Sequence, residues 1–267
     1  MVRDRFLASS VAARSRPADG EAAADRASTG IPHLDAAIGG GFPRNRAVVL
    51  CGAAGTGKTT FGLEFLLDGL AAGEPGIFVT ADEKPRHLLE DAARFEWDLE
   101  PPMARGVLTV LDAAPFHTAS RGRHGHLPGI DARQVASDLV EEVSRIGARR
   151  LVVDSITSLV PPDMTRGAAH DYLRCLIQSL EDNAGCTTLL TCRGAASDPQ
   201  GSCHAARGLA TGVLELRLAR SRGGFTRTLR VRKMRATAIE PVEFQFHMAP
   251  GWGLVLAEQP HVGVLAS

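Results

Sequence analysis

The chain has no net charge: its 30 Lys and Arg balance 30 Asp and Glu. No global field therefore draws it to nucleic acid or to an anionic membrane, which leaves only local patches to consider. No run approaches the roughly 18 consecutive apolar residues of a membrane span, so no membrane partner is expected. Arg3, Asp4 and Arg5 are followed by no apolar segment, so no signal peptide is expected either. The five cysteines, Cys51, Cys175, Cys186, Cys192 and Cys203, are an odd set without a C-x-x-C pair. Reduced thiols in a cytoplasmic protein are the simple expectation. The chain also lacks G-x-S-x-G, H-E-x-x-H and any Cys/His cluster with zinc spacing, which sets aside the commonest serine and zinc hydrolases. His124-Gly125-His126 has no further ligand nearby in sequence to make a metal site.

What is present is a core and a phosphate loop. Hydrophobic residues make up 44% of 267, enough for one large α/β domain. Gly52-Ala53-Ala54-Gly55-Thr56-Gly57-Lys58-Thr59 fits G-x-x-x-x-G-K-[ST], and Thr60 continues it. Ala47 to Cys51 before it read as a buried strand, and Thr60 to Leu67 after it read as a helix. The motif thus sits between a strand and a helix N-terminus, where its chemistry needs it. Glycines let the backbone turn its N–H groups toward phosphate oxygens, and the helix dipole adds positive charge. Lys58 can reach the β- and γ-phosphates of ATP, and the Thr59 hydroxyl can ligate Mg²⁺.

Along the chain, residues 1–27 are rich in Ala, Arg, Ser and Asp and read as a flexible arm. The domain is placed at 28–257, with 258–267 as a tail. A short helix is expected over Ile31 to Ile38. Strands at Val48–Leu50, Gly76–Thr80, Val107–Leu111, Leu151–Val153 and Thr187–Thr191 then alternate with helices at Thr59–Ala71, Pro85–Phe95, Asp131–Ile146 and Ala168–Asn183. Apolar strands alternating with helices predict a mainly parallel sheet covered on both faces. Past about residue 208 the helices should stop. Gly212–Leu218, Thr226–Lys233, Val242–Met248 and Gly253–Leu256 read as an antiparallel extension, with a hairpin turn at Gly223-Gly224. Pro115 to Gly129 and Gly194 to Ala206 read as loops.

Three further features bear on chemistry. Leu151-Val152-Val153-Asp154 is an apolar strand ending in an acid, a Walker B arrangement in which Asp154 holds the Mg²⁺ shell opposite Thr59. Asp82-Glu83 follows the strand Gly76 to Thr80. Either acid could align the attacking water, or both could merely favour the N-terminus of the helix at Pro85. Alternation along Thr228 to Lys233 puts Leu229, Val231, Lys233 and Arg235 on one side. Those two cations could serve a phosphate across an interface, or simply guard an edge strand. They end a basic run of Arg217, Arg220, Arg222, Arg227, Arg230 and Arg232. With only Phe225 among them for stacking, a solvated strand face is favoured over a DNA-binding one.

Taken together these residues resemble the KaiC family of RecA-type ATPases. Ser28-Thr29-Gly30-Ile31-Pro32-His33-Leu34-Asp35 resembles its S-T-G-I-x-x-L-D entry segment, followed by Gly39-Gly40-Gly41-Phe42-Pro43 and the P-loop. Pro75 to Thr80 with Asp82-Glu83 is similar to P-G-[VI]-F-V-T-x-E-E, and Trp97-Asp98-Leu99 to a W-D-L that follows. Leu151 to Ser158 resembles the Walker B strand with D-S-[IV]-T-S, and Lys233-Met234-Arg235 resembles a K-x-R pair that reaches the ATP of the next subunit. The resemblance spans about residues 28 to 256. It implies a RecA-like α/β fold, Glu83 as catalytic base with Asp82 assisting, Lys233 and Arg235 as contacts in trans, and a homo-oligomeric ring, expected to be a hexamer. It leaves room for a signalling protein partner.

Three departures qualify it. Asp82 replaces the family's first catalytic Glu. Thr191-Cys192-Arg193-Gly194 replaces T-T-E-R. Arg207-Gly208 stands where clock members carry a phosphorylated Ser-Thr pair, so phosphorylation at that place is not expected. The expected activity is slow ATP hydrolysis driving a conformational or signalling switch. Rival expectations are a RadA-type DNA repair accessory, a nucleotide-gated scaffold with little hydrolysis, and a Ser/Thr kinase.

Overall fold

A computed structural model describes residues 25–113, 131–194, 198, 201–221, 224–235, 237 and 242–257. The arm up to residue 24, the histidine loop, Arg222, Gly223 and the tail from residue 258 lie outside the described residues.

The elements follow the chain as β1 (Arg26–Ala27), α1 (Pro32–Ala37), β2 (Phe42–Pro43), β3 (Ala47–Gly52), α2 (Lys58–Ala71), β4 (Gly76–Thr80), α3 (Pro85–Arg94) and α4 (Glu100–Ala104). Then come β5 (Leu108–Asp112), α5 (Ala132–Ile146), β6 (Arg150–Asp154), α6 (Ile156–Leu159), α7 (Arg166–Asn183) and β7 (Thr187–Arg193). The last are α8 (Ser202–Leu209), β8 (Gly212–Ser221), β9 (Gly224–Met234), β10 (Val242–Ala249) and β11 (Gly253–Leu256).

One nine-stranded sheet runs β11-β10-β9-β8-β3-β7-β6-β4-β5. From β8 to β5 all neighbours are parallel, and β9, β10 and β11 are added antiparallel at the β8 edge. Every residue of β3, β4 and β6 is buried, because helices cover both faces of the parallel part. On one face α5, α7 and α8 close over Val49, Ile77, Val79, Leu151 and Leu190. On the other α1 and α2 close over Leu50, Phe78, Val152 and Leu189.

Local chemistry sets the helix ends. Asp131 accepts the N–H of Arg133 at 2.9 Å to start α5, and Gly147 at φ 64° ends it. Thr165 caps α7 by accepting from the N–H of Ala168. Pro85 opens α3 at a position where no donor is needed.

The expected strands and long helices form with ends shifted by a few residues at most, and four expectations change. Arg26–Ala27, read as the end of the arm, form a short strand paired with Phe42–Pro43. A Cβ at Gly41 would lie 2.2 Å from the Ala27 carbonyl oxygen, so only glycine admits this pairing. The segment read as a loop from Gly194 to Ala206 contains the first turns of α8, whose Cys203, Ala205 and Ala206 are buried. The first strand of the extension, β8, is parallel to β3 rather than antiparallel. Cys192 and Cys203, expected as free thiols, are joined by a disulfide. No described helix is long and apolar enough to cross a membrane.

Candidate functional site

β3 delivers the P-loop to the C-terminal edge of the sheet, next to the ends of β7, β6 and β4. Gly55 and Gly57 adopt φ of 74° and 108°, as a loop that turns its amides inward requires. Ala53, Ala54 and Gly55 are exposed at the crest, while Thr56 is buried and donates its hydroxyl to the Ala53 carbonyl at 2.8 Å. Gly57 caps α2, and Lys58, Thr59 and Thr60 form its first turn. The Lys58 ammonium donates to the Ala53 carbonyl at 3.0 Å, folded back across the loop. Burial lowers its pKa, opposed by the carboxylates of Asp154 and Asp82.

Asp154 stands where β6 ends, opposite Thr80 of β4. It accepts the Thr59 hydroxyl at 2.6 Å on one oxygen and a short hydrogen bond from Thr191 on the other. The peptide joining Asp154 to Ser155 is cis. Thr59 and Asp154 thus lie within hydrogen-bonding distance of each other beside the phosphate loop. Two carboxylate oxygens, a hydroxyl and a loop of inward amides fit Mg²⁺ and a polyphosphate.

The two acids after β4 part company. Asp82 is held by three residues: Arg193 at 2.6 Å, the Ser155 hydroxyl at 2.9 Å and a short bond from Ser158. No hydrogen bond joins the Glu83 carboxylate to another described residue. Partial burial raises its pKa above the usual value, with Asp154 and Asp91 adding to the rise. Arg193, Ser155, Ser158 and Thr191 are site residues that the sequence reading did not assign. Ser155 and Ser158 fall in the D-S-[IV]-T-S segment and Thr191 and Arg193 in the segment that departs from T-T-E-R, but neither stretch by itself says that their side chains meet Asp82 or Asp154.

Lys233 does not lie where alternation put it. A register irregularity in the β8–β9 ladder at Val213/Leu214 inserts an extra residue into β9. Leu229 and Val231 therefore share their core with Met234. The Lys233 ammonium instead donates to carbonyls at the end of α8: Ala210 at 2.6 Å, Gly208 at 3.3 Å and Arg207 at 3.4 Å. Arg235 is exposed, and neither cation is placed against the P-loop of its own chain. Within the basic run Glu215 pairs with Arg217 at 3.1 Å and Arg232 at 3.5 Å, which lowers the charge available to a polyanion.

An open cavity of about 700 Å³ borders the P-loop at Gly52, Ala53 and Thr56, on the side toward α8 and β8. Lys58, Asp154 and Glu83 do not line it, so it adjoins the phosphate cradle rather than forming it.

A strand, a phosphate loop, a helix and an acid at the end of the parallel strand next but one, with β7 between, define a P-loop NTPase of the RecA type. The family described as ATPase: KaiC matches residues 27–261, and the chain belongs to it. A UPF0273 protein of Methanopyrus kandleri is 33% identical over 224 residues, covering 81% of this chain and 86% of that protein. The circadian clock oscillator protein KaiC of Prochlorococcus marinus is 31% identical over 240 residues, covering 86% of this chain but 44% of that longer protein. The crystal structure of a KaiC-like protein from Pyrococcus horikoshii superposes with a TM-score of 0.73 at 31% identity, covering 87% of this chain and 98% of that one.

Proposed function

We propose that this chain binds MgATP and hydrolyses it slowly at the interfaces of a homo-oligomeric ring, a hexamer, to switch conformation or signal to a protein partner. The observation that carries the reading is the 2.6 Å contact of Thr59 with Asp154 beside the P-loop. When bound, Mg²⁺ supplies charge that offsets the charge developing on the phosphates.

The chain's own residues do the rest. Amides of Gly52 to Thr59 hold phosphate oxygens. Lys58 leaves the Ala53 carbonyl to meet them. Glu83, the unclamped acid, accepts the proton of the attacking water, and its raised pKa makes it a stronger base than an ordinary carboxylate. Asp82 positions the strand end through Arg193 and the two serines, a supporting rather than a proton-accepting part. Arg235, exposed, reaches across the interface together with Lys233 once that ammonium leaves α8.

The test is hydrolysis per subunit over a wide range of protein concentration with Mg²⁺ present, with sizing of the same samples. Specific activity that rises and saturates as the oligomer assembles is expected. Constant activity in a sample that sizes as a monomer would remove the shared site. ATP binding without any hydrolysis would favour a nucleotide-gated scaffold.

A further inference from the structure

Three sulfurs converge beside the P-loop, from elements far apart in sequence. Cys51 lies on β3 next to Gly52 and pairs in register with Cys192 on β7. Residues directly opposite in a sheet share a face, so both side chains project toward the helix layer that holds α8. Cys203, from the first turn of α8, meets them there. None of the three is more than 4% exposed. Cys51 Sγ lies 3.1 Å from Cys192 Sγ and 3.5 Å from Cys203 Sγ. The bonded pair has its Cα atoms 5.5 Å apart, within the range of ordinary disulfides. Cys51 and Cys203 also border the cavity of about 700 Å³, which gives a small reagent a route to the cluster.

We propose that Cys192 and Cys203 form a reversible thiol–disulfide pair, with Cys51 as a third, bystander thiol packed against them, and that the oxidised bond stiffens the wall of the P-loop. The consequence for ATP rests on the function proposed above.

A peroxide is the oxidant class that fits the route. Cys203, on giving up its proton, attacks one peroxide oxygen; the S–O bond forms, the O–O bond breaks, and the leaving hydroxide takes that proton to become water. Cys192 then attacks that sulfur and displaces the second oxygen as water. The two thiols together give up two electrons and two protons, and the peroxide is reduced to two waters. A dithiol reverses the bond by exchange. Burial pushes the Cys51 thiol up to about 12, so it stays protonated and leaves the Cys192–Cys203 bond as the resting oxidised form.

The mechanical link to the loop is short. Cys192 is two residues from Gly194, whose N–H donates to the Gly52 carbonyl at 3.1 Å. The bond therefore ties α8 and the end of β7 to the first residue of the phosphate loop. A loop ordered beforehand pays less on binding, so oxidation should tighten ATP affinity.

The full chain would be prepared reduced with dithiothreitol or oxidised with hydrogen peroxide, acid-quenched, alkylated and digested for mass spectrometry without reduction. Amide exchange of residues 52–58 and ATP affinity would be measured in both states. A Cys192–Cys203 cross-link reversed by dithiothreitol is expected, with amide exchange slower and affinity higher by about fivefold or more when oxidised. Cys203→Ser and Cys192→Ser should each lose that response, and the wild-type comparison stands if either fails to fold. No cross-link, or a cross-link with unchanged exchange, overturns the proposal. So does a stoichiometric soft metal, such as copper(I), held by the three reduced thiols. An intact exchange response with no ATP binding in either state supports the redox site and refutes the proposed function instead.

Discussion

Replacing Glu83 by Gln and Asp82 by Asn separates two adjacent acids that sequence makes nearly equivalent. A positioned general base contributes about 10²–10⁴ in rate, or about 2.7–5.4 kcal/mol at 1.36 kcal/mol per tenfold. Glu83→Gln removes that contribution while keeping shape and burial. It should cut single-turnover hydrolysis by about 10²–10⁴ and leave ATP binding, measured separately, within about threefold. Asp82 is different because it already serves Arg193, Ser155 and Ser158. The Arg193 and Asp82 side chains are 49% and 31% exposed, so solvent screens their attraction to about 0–1 kcal/mol. Asp82→Asn keeps one carbonyl acceptor and should cost less than about tenfold in rate. The pH profile adds a second readout. The base must be deprotonated, so the rate falls as pH drops through its raised folded pKa. That acid limb should sit above the ordinary carboxylate range, survive in Asp82→Asn and vanish from the residual activity of Glu83→Gln. Equal losses in the two variants, or full activity in Glu83→Gln, would refute the assignment.

Two structural predictions are independent of turnover. Arg150 is 1% exposed and holds Glu74 at 2.6 Å and the carbonyls of Ser28 and Phe65 at 2.7 Å. Arg150→Met strands those partners, so it should cost about 3–5 kcal/mol and lower the melting temperature by about 6–20 °C; a drop below about 3 °C would show the network to be dispensable. Burial pushes Asp35 up from 3.8 to about 7 in spite of two hydrogen bonds from Thr29. A folded pKa above the unfolded one gives stability that is fully present below pH 3.8 and lost as pH rises through about 7. Asp35→Asn should flatten that part of the stability–pH curve, as followed by denaturant melts across it.

How much of this was legible in sequence depended on distance along the chain. The P-loop and Asp154 were readable because strand, loop and helix are contiguous there and an apolar run ends in an acid. The difference between Asp82 and Glu83 was not, because Arg193 reaches Asp82 only through the sheet order that sets β7 beside β6 and β6 beside β4. The three-cysteine cluster was hidden for the same reason: its members come from β3, β7 and α8, and no short spacing announces them. Helix α8 was missed because its buried side consists of Ser202, Cys203, Ala205 and Ala206, small residues that look like loop composition. Lys233 was placed on the wrong face because strand alternation holds only until a bulge, and the irregularity opposite Val213/Leu214 leaves no mark in composition.

That misplacement bears on how the ring would work. Within one chain Lys233 neutralises the carbonyl end of α8, a cation placed where the helix dipole is negative. On the proposed reading it can serve a neighbour's phosphate only by giving up those carbonyls. Each subunit at rest then holds its own finger in check, and hydrolysis waits on assembly around bound nucleotide. Mixing Glu83→Gln subunits with Lys233→Ala/Arg235→Ala subunits tests this directly. Each population alone should be nearly inactive. In mixed rings some interfaces pair an intact base with intact cations from the other chain, so part of the activity should return, in proportion to such interfaces. Lys233→Ala alone should also destabilise the chain by up to about 1 kcal/mol through loss of its place at the end of α8. Mixtures that remain inactive while subunits exchange freely would reduce Lys233 to a helix cap and leave the catalytic cations unassigned.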